Sequence, residues 1–218
     1  MDIAKGKNYT DEKPVLVLKD VYLLYLQHTN GGAPKYGTAG SNPAEREYPV
    51  QILVNAKIAK AIKKLHKKLS YKQFDKEEFE ENFKMKAPFE ADNYVVIRAS
   101  ANAGYIDKST NEVKSLNAPK VLSKTRQDLS EVLVGNGSKA TVGLNISEYN
   151  HPKFGQGTSL NLGMIVVSEL VEYIGADSAV DSDDDFDFEA DDFDDMNDEA
   201  EEEEQAEEAE EEAADDLL

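Results

Sequence analysis

The last 42 positions of the chain, residues 177–218, hold 13 Asp and 11 Glu and no Lys, Arg or His. A block of one sign repels itself and offers too little apolar surface to offset the entropy of ordering a chain. This stretch is therefore expected to be disordered and to add nothing to a core. Residues 1–176 carry all 24 basic residues against 20 acidic ones, so the net charge of −20 conceals a body of +4 and a tail of −24. Whatever folds must fold within the first 176 residues, a length that suits one domain with one core. The expected division is a domain over 1–176 and a disordered acidic tail over 177–218.

The chain has no cysteine, which excludes disulfides and thiolate metal sites. Its start, MDIAKGKNYTDEK, lacks the apolar run of a signal peptide, and no stretch reaches the ~18 apolar residues of a membrane span. The expectation is a soluble intracellular protein with no membrane association.

Within the body, VLVLKDVYLLYL at 15–26 is dense in Val, Leu and Tyr and reads as a buried strand. A Gly-, Pro- and Asn-rich stretch follows at 27–47, far longer than the usual connection of ~4–6 residues, before YPVQILV at 48–54 returns as a second strand. NAKIAKAIKKLHKKL then changes period. Ile58, Ile62, Leu65 and Leu69 form one stripe behind an Asn55 N-cap, and Lys57, Lys60, Lys63, Lys64, Lys67 and Lys68 occupy the remaining surface. DKEEFEENF predicts a second, short helix carrying Phe79 and Phe83.

Period two resumes in YVVIRASAN, where Val95, Ile97 and Ala99 oppose Tyr94, Val96, Arg98 and Ser100. Short strands and loops are expected from 104 to 134. KATVGLNISEY alternates again, and TSLNLGMIVVSELVEY closes the body as a long strand bulged near Gly163. Five or more strands with a prominent basic helix after the second predict a mainly β fold: a five-stranded Greek-key barrel of the OB type, with a β-sandwich as the alternative.

Catalytic patterns are missing. His28, His66 and His151 fall in a loop, on the lysine-rich helix and in a turn, with no second ligand at metal spacing, and they read as surface histidines. GNGSK lacks the phosphate-loop pattern, GGAPKYGTAGS lacks the dinucleotide fingerprint, and there is no GxSxG elbow. The chain is expected to be neither an enzyme nor a holder of a cofactor or metal. The tyrosines carry more information. Tyr36 follows Lys35, Tyr94 shares a strand face with Arg98, Tyr105 sits in a loop region, and Tyr149 precedes Lys153 and Phe154. Rings flanked by cations suit an unpaired nucleic-acid strand, because bases stack on rings while cations follow phosphates.

VLVGNGSKATVGLNISEY and VVSELVEY, at 132–149 and 166–173, resemble the single-stranded DNA-binding protein family of T-seven-like phages. That family has a glycine-rich turn ending in Ser-Lys, here Ser138-Lys139, an alternating strand that reaches a tyrosine, and a strand ending in Glu-Leu. AGSNPAEREYPVQILVN is similar to its Gly-x-Asn-Pro segment leading into a strand and then a helix. The resemblance implies an OB fold and single-strand binding in DNA replication, recombination and repair, in the cytoplasm of an infected bacterial host. It also implies that the acidic tail contacts the DNA polymerase and helicase-primase, and it allows a homodimer. Tyr149 matches a DNA-binding tyrosine of the family, and Lys139 joins the candidate contacts through the turn. Two features depart from the pattern. Gly143 stands where the family has a DNA-binding lysine, and the family's terminal aromatic residue is replaced in Asp215, Asp216, Leu217 and Leu218, the expected partner-binding end.

A flexible chain of forty residues spans roughly 35 Å, enough for the tail to rival DNA for the cations of its own body. Two alternatives remain open at this point. The tail itself could be the active surface of an acidic chaperone or DNA mimic that binds basic proteins, or the barrel could be an RNA-binding OB module.

Overall fold

A computed structural model describes residues 1–7, 9–10, 15–65, 69, 71–151 and 155–173. The chain separates into two units, Met1–Ser178 and Ala179–Leu218, and every described residue falls in the first. The expected disorder of the tail therefore concerns residues outside those described.

The described residues form eleven strands, two α-helices and one 3-10 turn at Pro43–Glu45. In chain order the strands are β1 (Asp2–Lys5), β2 (Val15–Leu24), β3 (Ala33–Pro34), β4 (Arg46–Val54), β5 (Lys72–Phe74), β6 (Tyr94–Asn102), β7 (Gly104–Ile106), β8 (Val113–Ser115), β9 (Lys120–Ser123), β10 (Ser138–His151) and β11 (Gly155–Glu169). Helices α1 (Ala56–Leu65) and α2 (Lys76–Phe83) both lie between β4 and β6. The fold is mainly β, as expected.

Five strands close on themselves. β2 pairs β4, β4 pairs β6, β6 meets β11 in parallel, β11 pairs β10, and β10 returns to β2. In order of appearance along the chain this is a 1-2-3-5-4-1 ring, the Greek-key barrel anticipated from the strand count, and closure removes the sheet edges that an open sheet would expose. The seam between β6 and β11 is the slightest, a single partnership of Asn161 with Ser100; beyond it β9 replaces β6 beside β11, from Met164↔Lys120 to Val167↔Ser123.

The alternation of each strand fills the barrel. Leu16, Leu18, Val21 and Leu23 of β2 join Val50, Ile52 and Val54 of β4, Val95, Ile97 and Ala99 of β6, and the even-numbered apolar positions of β10 in one core. β2 keeps its side chains inward on both sides of Lys19-Asp20 because two residues there oppose one on β10, with Asp20 in the left-handed region at φ 55°. The bulge anticipated near Gly163 is present: Gly143 pairs Met164 and Leu144 pairs Leu162, leaving Gly163 as the extra residue. Helix α1 contributes Ile58, Ala59 and Ile62 to the barrel core, and the Asn55 side chain accepts from the Ile58 N–H at 2.8 Å, the predicted cap.

A second core lies outside the barrel. Helix α2 starts in a capping box between Asp75 and Glu78 and lays Phe79 and Phe83 on the outward side chains Leu24, Leu53, Tyr94 and Val96. It thereby covers one half of the outer face of β4 and β6; on the other half Arg98 and Asn102 of β6 are exposed, while Glu47 and Gln51 of β4 are buried.

Candidate nucleic-acid interface

On the half away from α2, Gln51 lies opposite Arg98, Pro49 opposite Ser100 and Glu47 opposite Asn102. Ser100 continues across the seam to Asn161 of β11, and Asn161 to Asn145 of β10. From there the outward positions of the β10–β11 hairpin run Ser147 opposite Ser159 and Tyr149 opposite Gly157. The hairpin extends past the barrel, because β10 pairs β2 only over 138–145.

Hydrogen bonds tie this stripe together. The Ser147 and Ser159 hydroxyls lie 2.9 Å apart, and the Asn161 amide donates to Ser147 Oγ at 2.7 Å and to the Asn145 carbonyl at 3.2 Å. The result is one continuous outer face over four strands, rich in Ser and Asn, whose side chains both donate and accept. From Asn102 to Tyr149 it measures ~20 Å at the rise of a strand, enough for a few nucleotides of the ~4–16 that one OB fold occupies.

Three exposed tyrosines border it. Tyr149, 46% exposed, stands at the hairpin end. Tyr36, 57% exposed, sits near the tip of the 27–47 stretch, and Tyr105, 47% exposed, stands on the β7–β8 hairpin. Those two elements adjoin: Ala103 N–H donates to the Arg46 carbonyl, and Gly104 packs so closely on Pro43 that a side chain at 104 would collide with it.

The long 27–47 stretch is an ordered arm. The Arg46 guanidinium donates to the carbonyls of Gly31 at 3.1 Å, Gly40 at 3.3 Å and Gly32. All four of its glycines turn with positive φ, and Gly32 backs onto the Glu47 carbonyl where no side chain would fit. The Lys35 ammonium donates to the Ala44 carbonyl at 2.8 Å, so it clasps the arm shut beside Tyr36 instead of standing free.

Several other candidate residues differ from expectation. Tyr94 is 0% exposed; its ring packs on Phe79 at 4.9 Å and its hydroxyl donates to the Phe89 carbonyl at 2.6 Å, so it serves the outer core and offers no face to a base. Helix α2 covers its end of the strand, which alternation within one segment does not reveal. Arg98 remains on the open half but is ion-paired with Glu47, itself buried. Lys139 lies on the same outward side of β10 as Tyr149 but ten residues away, ~33 Å along the strand, where it sits 3.6 Å from Glu169 and 4.0 Å from Asp20. His28, expected on the surface, is buried, with Nε2 3.0 Å from the Leu129 carbonyl to which it donates. Lys153 and Phe154, His66, and the tail residues Asp215, Asp216, Leu217 and Leu218 lie outside the described residues.

The structure also adds members that the sequence reading passed over. Asn145, Ser147, Ser159 and Asn161 were legible as the polar half of two alternating strands, but their union into one face required the pairing of β10 with β11. Lys120, exposed beside Met164 on β9, is a cation on this side of the barrel whose strand neighbour could not be inferred locally. Among the described residues no group of three or more His, Cys, Asp or Glu is placed to hold a metal ion.

No protein-family model and no curated protein matches this sequence. Among solved structures the chain is similar to gp2.5, a single-stranded DNA-binding protein encoded by bacteriophage T7. Identity is 20% and the TM-score 0.48, over 76% of this chain and 97% of that one. It is also similar to the single-stranded DNA-binding protein from bacteriophage Enc34, at 15% identity and a TM-score of 0.46 over 86% of this chain and 100% of that one. Against the Enc34 protein in complex with single-stranded DNA the identity is 18% and the TM-score 0.41, over 79% of this chain and 98% of that one.

Proposed function

We propose that this protein binds single-stranded DNA across the outer face of β4, β6, β11 and β10. Tyr36, Tyr105 and Tyr149 serve as stacking platforms, and the Ser and Asn side chains hydrogen-bond bases and sugars between them. The observation that supports this reading is that three exposed tyrosines stand on elements adjoining one polar outer face of a Greek-key barrel. The face of strands two and three, with the loops that flank it, is where such barrels take up oligonucleotides. The sequence resemblance of 132–149 and 166–173 to phage single-strand binders points the same way.

On this reading the protein protects unwound strands during phage DNA replication, recombination and repair in the bacterial cytoplasm. The acidic segment competes with DNA for the cations of the body and recruits replication proteins once DNA displaces it. The test is fluorescence anisotropy of a labelled thymidine oligomer titrated with the full-length chain and with Tyr149→Ala. Loss of one stacked base lowers affinity by roughly 5- to 150-fold. Equal affinity of the two folded proteins would remove Tyr149 from the interface, and an absence of binding at low salt would end the proposal. Competition by an RNA oligomer of matched length separates an RNA-binding module. Preferential capture of a basic protein by the full chain would favour the acidic-chaperone reading.

A further inference from the structure

Gly157 sits in the extended strand β11, directly opposite Tyr149. Strands disfavour glycine, which adds no packing and costs entropy, so a glycine inside one marks a close approach by something else. Here the approaching group is the tyrosine. A Cβ built on Gly157 would fall within the hydroxyl end of the Tyr149 ring, and Gly157 is buried even though it faces outward. Its backbone is not in the left-handed region, so nothing in its own conformation demands glycine. Tyr149 keeps 46% of its surface exposed, so the ring both abuts the glycine and reaches solvent.

The geometry points to Gly157 as the positioning residue of the Tyr149 platform: the missing side chain is the seat that holds the ring flat against the hairpin, in the attitude a base needs for stacking. This inference rests on the proposed single-strand binding and deepens it. A ring already fixed by one neighbour loses less freedom on binding than a ring standing free in solvent. A side chain at 157 leaves the strand intact but lifts the ring. Valine is the sharper replacement because it favours strands, so its effect on binding cannot be charged to a weakened β11.

The experiment is a double-mutant cycle on the full-length chain. Thymidine-oligomer affinity is measured for the parent, Gly157→Val, Tyr149→Ala and the pair, with Gly157→Ala as a milder second variant. The expected result is that Gly157→Val weakens binding by about the same factor as Tyr149→Ala, roughly 5- to 150-fold. Added to Tyr149→Ala it weakens binding no further. A merely structural role would not give that pattern, since its effect would persist after the ring is gone. A second readout needs no variant at 157: the Gly157 Hα resonances of the parent should be shifted upfield by the ring current and should return to ordinary positions in Tyr149→Leu.

Unshifted Gly157 protons, or parental affinity in folded Gly157→Val, would overturn the inference while leaving single-strand binding in place. Effects of the two substitutions that simply multiply would also overturn it. A parent chain that binds no oligomer would instead overturn the binding proposal, and the positioning role with it.

Discussion

Tyr94 and Tyr149 both sit at outward positions of alternating strands, yet one is sealed beneath Phe79 and Phe89 and the other lies open on Gly157. The difference comes from what crosses the strand afterwards, and it separates their substitutions. Tyr94→Phe keeps the ring and removes the hydroxyl that donates to the Phe89 carbonyl. Chemical denaturation should show a loss of about 1–2 kcal/mol with oligomer affinity unchanged; weakened binding at parental stability would contradict the buried role. In the β7–β8 hairpin that carries Tyr105, the Asp107 carboxyl is held down to about 2. The hydrogen bond from Lys114 is the main cause and those from Ser109 come next. A depressed carboxyl supports the fold above its ordinary value of about 3.9, and that support fades as pH falls through the folded value. The hairpin should therefore loosen only between roughly pH 4 and pH 2. A carbon-detected titration of Asp107 checks this, and Lys114→Met should return its midpoint toward the ordinary carboxylate range.

Two of the rings, Tyr36 and Tyr105, are presented by arms outside the five-stranded ring. Arg46 anchors the first of these arms, because its guanidinium holds three carbonyls across fifteen residues of the 27–47 arm. Arg46→Ala should raise hydrogen exchange over residues 31–41 and lower oligomer affinity by about as much as Tyr36→Ala, while α1 and the β4–β6 ladder keep their protection. Undisturbed exchange in the arm would show that β3 and the turn at Pro43–Glu45 suffice. The existence of strands, helices and caps was legible locally: Asn55 and Asp75 cap as their neighbours require, and the extra residue at Gly163 follows from a glycine amid alternation. The ordered state of the arm was not legible, because Gly- and Pro-rich composition describes loose and tightly turned chains alike. The guanidinium that settles the matter acts on carbonyls up to fifteen residues away.

Among the described residues, the cations singled out as DNA contacts are already engaged, while Lys120 stays exposed. Arg98 is paired with Glu47, Lys35 with a carbonyl, and Lys139 lies near two carboxylates at the far end of β10. Stacking and hydrogen bonding should then outweigh phosphate contacts. With only two or three phosphates neutralised, the slope of log affinity against log salt should lie near −1.4 to −2.1 (about −0.7 per phosphate on single strands). A slope several times steeper would relocate the site onto the lysine surface of α1. A chain ending at Gly175 should bind more tightly than the full chain at low salt and converge with it as salt rises, since the rivalry of a polyanion is screened over ~8 Å at physiological ionic strength. Equal affinities throughout would remove the tail from DNA binding. Charge segregation, periodicity and capping follow from neighbours in the chain, so the main strand and helix segments and the barrel class could be read from residues alone. Which tyrosines stay open, which cations are spent on carboxylates and carbonyls, and which polar positions unite into a face depend on partners as far apart in the chain as Asp20 and Lys139. Only closure of the barrel and the docking of α2 bring those partners together.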